Sequence, residues 1–266
     1  MQDKTVENKA TAGAAAPETP ATSGEMGVIE HLVELRARLM RAALAVLVIT
    51  LALLPFSRRL YALIAEPLVR HLPAGSQMIA IDVATPFFTP FKLTMLSGLL
   101  LAMPVIIYQL WSFVAPGLYV REKHLARPLL ISATLLFYLG CVFAYFVVFP
   151  VVFAFFTAAA PAGVAVMTDI SRYLDFVMTL FFAFGISFEV PVALIILTAL
   201  GVTTPAQLAT ARPYVIVGAF ALGMILTPPD VISQSLLAIP MWLLYEFGIV
   251  AARLLLRRAT KATAAD

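Results

Sequence analysis

From Leu39 onward the chain alternates long apolar runs with short polar joints. Six runs stand out: about Leu39–Phe56, Leu93–Val114, Leu129–Phe149, Phe176–Leu200, Tyr214–Leu226 and Ser235–Leu256. Most approach or exceed the roughly 18–20 residues that a hydrocarbon core of ~30 Å requires of a helix. The fifth is short; at ~1.5 Å per residue it reaches only ~20 Å. With the sixth it forms a tight hairpin around Thr227-Pro228-Pro229-Asp230, and the pattern predicts either two spans in a locally thinned bilayer or a re-entrant pair.

Six crossings put both termini on one side, and the basic residues choose it. Arg36, Arg38 and Arg41 precede the first run, Arg121, Lys123 and Arg127 lie between the second and third, and Arg212 precedes the fifth. Arg253, Arg257, Arg258 and Lys261 close the chain, whereas the other face holds Arg58, Arg59, Arg70, Arg172 and, at its edge, Lys92. The bias predicts a cytoplasmic location for both termini. On the opposite side, Leu60, Leu63, Ile64 and Leu68 recur at helical spacing over Arg59–Val69. This predicts an amphipathic interfacial helix that Pro67 kinks or ends. The loop Pro150–Ser171, itself apolar over Val151–Ala160, is expected to fold back on the helix ends.

Composition agrees with a membrane solvent. Hydrophobic residues make up 62% of the 266, charged residues 12%, and mean hydropathy is +0.96. Too little charge remains to dissolve a soluble domain. Residues 1–25, rich in Ala, Thr, Pro and Glu without apolar periodicity, are expected to be a disordered tail. They carry no apolar core of a secretory signal. A six-helix domain is expected over 26–256 and a cytoplasmic tail over 257–266. The net charge of +3 is no argument for nucleic acid, and the lone Cys141 reads as a small apolar filler.

Candidate catalytic chemistry is scarce. His31, His71 and His124 are scattered, no phosphate loop appears, and Ser97-Gly98 lacks a nucleophile-elbow context. The conspicuous charge is Glu189, near the middle of the fourth run. Centring a carboxylate in a bilayer costs at least ~3 kcal/mol, so it faces a cavity, a partner or a pathway, or is a protonated group held by a neighbouring helix. The other interesting charges flank the basic face. Glu34 sits among arginines in His31-Leu-Val-Glu-Leu-Arg36, where pairing with Arg38 at i+4 is its plain structural role. Phe113 and Glu122 lie in Trp111-Ser-Phe-Val-Ala-Pro116 and the loop beyond it; an interfacial aromatic and a solvated carboxylate need no further role.

Five strings together carry a resemblance: His31-Leu-Val-Glu34-Leu-Arg36, Met78-Ile-Ala-Ile-Asp82-Val-Ala-Thr-Pro86-Phe-Phe-Thr-Pro90-Phe-Lys92-Leu, Phe188-Glu189-Val-Pro191, Arg212-Pro-Tyr214 and Leu226-Thr-Pro-Pro-Asp230. Their order and spacing from about residue 27 to 252 resemble the TatC family, the multispanning subunit of the twin-arginine protein translocase. The resemblance implies an all-α integral membrane fold of six helices, concave, with short fifth and sixth helices. It implies a signal-peptide receptor in the cytoplasmic membrane that exports folded proteins with the proton-motive force, without a cofactor or an enzymatic reaction. In that family the positions of Glu34 and Glu122 bind the signal's arginine pair, Phe113 belongs to the same patch and Arg36 shapes it. Glu189, Thr227 and Gln234 match polar positions at which single-span TatA- and TatB-type partners pack in an oligomeric complex. Pro67 and Asp230 match functionally sensitive outer positions. Two rival readings stand beside it: an ion-coupled secondary transporter with Glu189 in its site, weakened by the lack of an internal repeat, and an intramembrane enzyme, which lacks a nucleophile–base pair.

Overall fold

The computed structural model describes residues 23–69, 78–114, 123–158, 167–226 and 231–263, and they are helical throughout apart from short connections. In chain order the helices are α1 (Ser23–Leu53), α2 (Ser57–Val69), α3 (Thr85–Leu101), α4 (Met103–Val114), α5 (Lys123–Phe143), α6 (Phe149–Ala158), α7 (Ile170–Phe188), α8 (Val190–Ala199), α9 (Pro205–Thr210), α10 (Arg212–Leu226) and α11 (Val231–Thr263). Four helical stretches are long and apolar enough to cross a membrane, and the bent pair α3–α4 makes a fifth. The fifth apolar run forms α10, which at 15 residues is shorter than these, as its sequence predicts.

Each apolar run becomes helix, but the boundaries shift for identifiable reasons. α1 starts at Ser23, ahead of the expected tail boundary, and carries Glu34 on a rigid extension of the first run. A single 3-10 turn at Leu54–Phe56, with Pro55 in its opening positions, joins it to α2. The anticipated amphipathic helix is α2, and it ends two residues after Pro67. At the other end α11 runs on to Thr263, seven residues past the expected boundary at 256.

Two expectations need correction. The second run is not one straight span: α3 and α4 meet at Ala102 with a bend of 46°. Pro104, near the start of α4, has no N–H for the Leu100 carbonyl one turn back, and such a gap kinks a helix. Conversely, Pro150 begins no loop. Helix continues from Pro128 to Ala158, through a π turn at Ala144–Val148 and then α6. The wider turn shifts the backbone pairing just ahead of Pro150, which lets a proline sit inside a continuous apolar helix.

The core lies where α5, α6 and α7 meet α3. Phe149, Phe153, Tyr173, Phe181 and Phe184 pack with Leu93, Val148 and Leu237 in one cluster. Glycine permits the closest approach: a Cβ on Gly140 of α5 would lie 2.5 Å from the Phe184 carbonyl oxygen of α7. Gly248 of α11 does the same against Pro191 and Leu194 of α8. α8 stops at Gly201, whose φ of +74° suits only glycine well, and α9 restarts on a Thr204–Gln207 capping box. At the ends of α3 and α7 opposite to α4 and α8, Ile79 exchanges backbone bonds with Thr168 and Ile170, tying the segments before the two helices together.

Candidate functional site

The N-terminal half of α1 lies against the end of α4, and two of the residues expected to recognise a signal, Glu34 and Phe113, lie there. Leu35, Arg38, Leu39 and Ala42 of α1 face Ile106, Gln109, Leu110 and Phe113 of α4 across a cavity of about 120 Å³. Its lining is almost wholly hydrocarbon. Glu34 sits at the rim. Arg38 donates to it from Nε at 3.0 Å and, more closely, from Nη2; both bonds end on Oε1. The guanidinium side chain is only 15% exposed and the carboxylate 41%, so Arg38 is spent holding Glu34 in place while Glu34 still faces outward. The i+4 pairing anticipated from the sequence is therefore present.

Phe113 closes the other side, its ring stacked on His31 at 4.2 Å and 22°. That contact spans α1 and α4, and sequence alone left His31 as a scattered residue. Gln109 was also missed. Its Oε1 is buried with no hydrogen-bond partner among the described residues, a polar group awaiting a donor at the edge of the cavity. The signal was present, an amide within the apolar stretch Val105–Trp111, but a search for charges passes over it. Arg36 is exposed, and two residues along a helix from Glu34 it points to a different side. Glu122, expected to complete the patch, lies outside the described residues.

The remaining candidates are distributed elsewhere. Glu189 forms the joint of α7 and α8, with Pro191 just beyond it. Its Oε1 is buried without a hydrogen-bond partner among the described residues. Gln234 of α11 donates to the Phe220 carbonyl of α10 at 2.7 Å and packs on Gly223, fastening the last hairpin from within. Thr227 and Asp230 lie outside the described residues, and of Pro67 only the helical backbone is described. At the far end of α10, Arg212 grips Glu246 of α11 with two parallel bonds, Nε to Oε1 at 2.5 Å and Nη2 to Oε2 at 2.9 Å. Glu246 is a second carboxylate in an apolar run. The rule that singled out Glu189 applied to it equally.

A cleft of about 540 Å³ lies at the other end of the fold. Asp82, Thr85, Thr89, Lys92 and Ser171 line it, and Lys92 bridges α3 to Asp175 of α7 at 2.5 Å. Asp169 caps α7 by accepting the Arg172 N–H at 3.0 Å, and the Ile81 N–H approaches its other oxygen at 3.3 Å. These bonds, that of Arg172 foremost, hold its carboxyl below the usual range. The ion pair and the cap tie α3 and α7 together at this end.

Residues 30–240 match the family model described as Sec-independent protein translocase protein (TatC). The chain belongs to the TatC family. It is 57% identical to TatC of Azotobacter chroococcum mcd 1 over 230 residues, 86% of this chain and 90% of that one. Identity to TatC of Escherichia coli K12 is also 57%, over 226 residues that cover 85% and 88% of the two chains. TatC of Aquifex aeolicus is 39% identical over 235 residues, 88% of this chain and 97% of its relative. A crystal structure of the twin-arginine translocase receptor TatC superposes with a TM-score of 0.76 at 39% identity, covering 84% of this chain and 98% of the other. The all-α membrane fold expected from the sequence is therefore that of the TatC family, and this member is a multi-pass membrane protein.

Proposed function

We propose that this chain is the signal-peptide receptor and core subunit of a twin-arginine translocase, crossing the cytoplasmic membrane six times with both termini in the cytoplasm. The observation that carries the reading is the α1–α4 cavity: a carboxylate preset by Arg38 on the rim of an apolar groove. A twin-arginine signal has the matching parts, two guanidiniums ahead of an apolar stretch. Both Arg38 bonds use Oε1 of Glu34, which leaves Oε2 to accept from an incoming guanidinium. Glu122 supplies the second carboxylate, and Arg36 biases the rim electrostatically. Planar forks pair with carboxylates in two bonds, which an ammonium cannot reproduce, so Lys-Lys signals bind worse. The apolar part of the signal lies along Leu35, Leu39 and Phe113, at roughly 25 cal/mol per Å² of apolar surface covered.

The subunit performs no chemistry of its own, and the proton-motive force drives transport. Single-span TatA- and TatB-type subunits pack along Glu189, Thr227 and Gln234 in an oligomeric complex, and Pro67 and Asp230 keep the outer turns in shape. The test is binding of a labelled twin-arginine peptide to the chain in nanodiscs. Tight binding that fails with a Lys-Lys peptide and with Glu34→Ala and Glu122→Ala supports the assignment. Equal binding of both peptides rejects the carboxylate site.

One observation favours a second reading. The buried, unpartnered oxygen of Glu189 at a helix joint resembles an ion-coupled transport site. Solute uptake by proteoliposomes of this chain alone, abolished by Glu189→Gln, would decide for it.

A further inference from the structure

Tyr138 of α5 and Tyr145 of the π turn that continues it meet carbonyls whose usual helical donor, four residues on, is a proline. In an α-helix the N–H of residue i serves the carbonyl of i−4, and proline has none. Pro67 therefore strips the Leu63 carbonyl of its helical donor, and Pro104 strips that of Leu100. Tyr145 donates its hydroxyl to the Leu63 carbonyl at 3.1 Å. Tyr138 reaches the Leu100 carbonyl at 3.3 Å and that of Leu101 at the same distance. The two tyrosines are seven residues apart, one heptad, which brings them back to nearly the same side of the helix. Tyr145 sits within the π turn at Ala144–Val148, where the backbone is re-aimed.

We infer that Pro67 and Pro104 are positioning residues that act by exposing one carbonyl each to a tyrosine of the continuous helix Pro128–Ala158, which thereby sets both the outer helix α2 and the bend ahead of the recognition cavity. Pro104 fixes the 46° bend between α3 and α4, and α4 carries Ile106, Gln109 and Phe113 of the cavity wall. Tyr138 holds that bend against α5. On the outer side Tyr145 holds α2, helped by Tyr173 of α7, which donates to the adjacent Ile64 carbonyl at 2.8 Å. A proline at 67 thus has a chemical purpose beyond ending a helix. It leaves an acceptor inside α2, ahead of its last turn, for the bundle to use. The inference about the cavity rests on the receptor reading above; the proline–tyrosine pairing itself does not.

The test is a pair of double-mutant cycles in the full chain, read by thermal unfolding in detergent, with twin-arginine peptide affinity as a separate readout. Tyr145→Phe is expected to lower Tm in the parent and by less than half as much in a Pro67→Ala background, where residue 67 again serves Leu63. Tyr138→Phe is expected to behave likewise with Pro104→Ala. The crossed pairs, 67 with 138 and 104 with 145, are expected to add. Peptide affinity should fall about threefold to tenfold in Tyr138→Phe, the scale of one hydrogen bond, and stay unchanged in Tyr145→Phe. Equal Tm losses in both backgrounds, or crossed pairs coupled as strongly as matched ones, overturn the pairing. Matched coupling with peptide affinity unmoved in Tyr138→Phe overturns the link to the cavity. A parent chain that binds no twin-arginine peptide defeats the receptor reading, while the unfolding cycles still decide the pairing.

Discussion

α1 and α7 are both long apolar helices, yet they live in different surroundings. In the apolar stretch that begins with α1, 6% of the residues in the most apolar window are buried inside the protein; in the stretch formed by α7 and α8 the share is 44%. Leu39, Leu44, Leu47 and Leu51 face outward from α1, while Val177, Leu180 and Phe184 of α7 are enclosed. Hydropathy reports that a helix belongs in hydrocarbon. It does not say whether lipid or protein supplies that hydrocarbon, because in a bilayer the two are equally apolar. What separates the helices is packing geometry. α7 offers Gly185 to Phe137 and accepts Gly140 against its backbone, whereas α1 lies against α3 and α4 on one side, seated closely where Thr50 meets Gly98 of α3, and leaves its other sides uncovered.

That difference can be broken by mutation. Phe184→Ala should destabilise the chain most, by about 3–5 kcal/mol, because a fully enclosed ring leaves a cavity. Thermal unfolding in detergent micelles measures it, and a change below ~1 kcal/mol would mean that α7 is not the centre of the fold. Gly98→Leu comes next, at about 1–3 kcal/mol, since its Cβ would run into the side chain and backbone of Thr50. The same variant should increase proteolysis within α1 before any other helix. If α1 holds as firmly as the rest, its seat is not the only one that matters.

Smaller effects sharpen the contrast at the ends of the helices. Asp169→Ala, which removes the cap of α7, should lose about 1 kcal/mol. The Asp169 carboxyl is held below its usual range, so its contribution is full above the unfolded-state carboxylate pKa and disappears as pH falls through the lower folded value. Exchange of the Arg172 amide should therefore quicken only in strongly acidic buffer, and Asp169→Asn, which keeps an acceptor, should not show that pH step. Leu47→Ala on α1 should move stability least, within about 0.5 kcal/mol, because the side chain has little protein contact to lose. A loss comparable to Phe184→Ala would show that a second protein surface covers α1 in the micelle.

Reading the chain without its fold recovered the helices better than their breaks. The amphipathic α2 and the brief α10 were legible from spacing and length. The bend at Ala102 was not, because Pro104 lies early in a run that is otherwise uniformly apolar, and the effect of a proline depends on what receives the freed carbonyl. At Pro150 the same residue type interrupts nothing, since the π turn ahead of it absorbs the missing bond. At the α1–α4 cavity Glu34, its i+4 partner Arg38 and Phe113 could be named from the sequence, whereas His31 and Gln109 gained roles only when α1 met α4.

The division has a physical origin. Composition and periodicity act residue by residue against solvent, so the sequence by itself determined that this chain lives in a membrane, where its helices run and which carboxylates are out of place. Partners across helices depend on backbone distance, and that is settled by close approach at glycines and by carbonyls left open at prolines. The pairing of Arg212 with Glu246, the seat of Thr50 on Gly98 and the bonds of Tyr138 and Tyr145 connect residues 34 to 82 positions apart. Only the tertiary structure brings such residues into contact, and with them a cavity that joins a carboxylate held by Arg38 to an apolar wall.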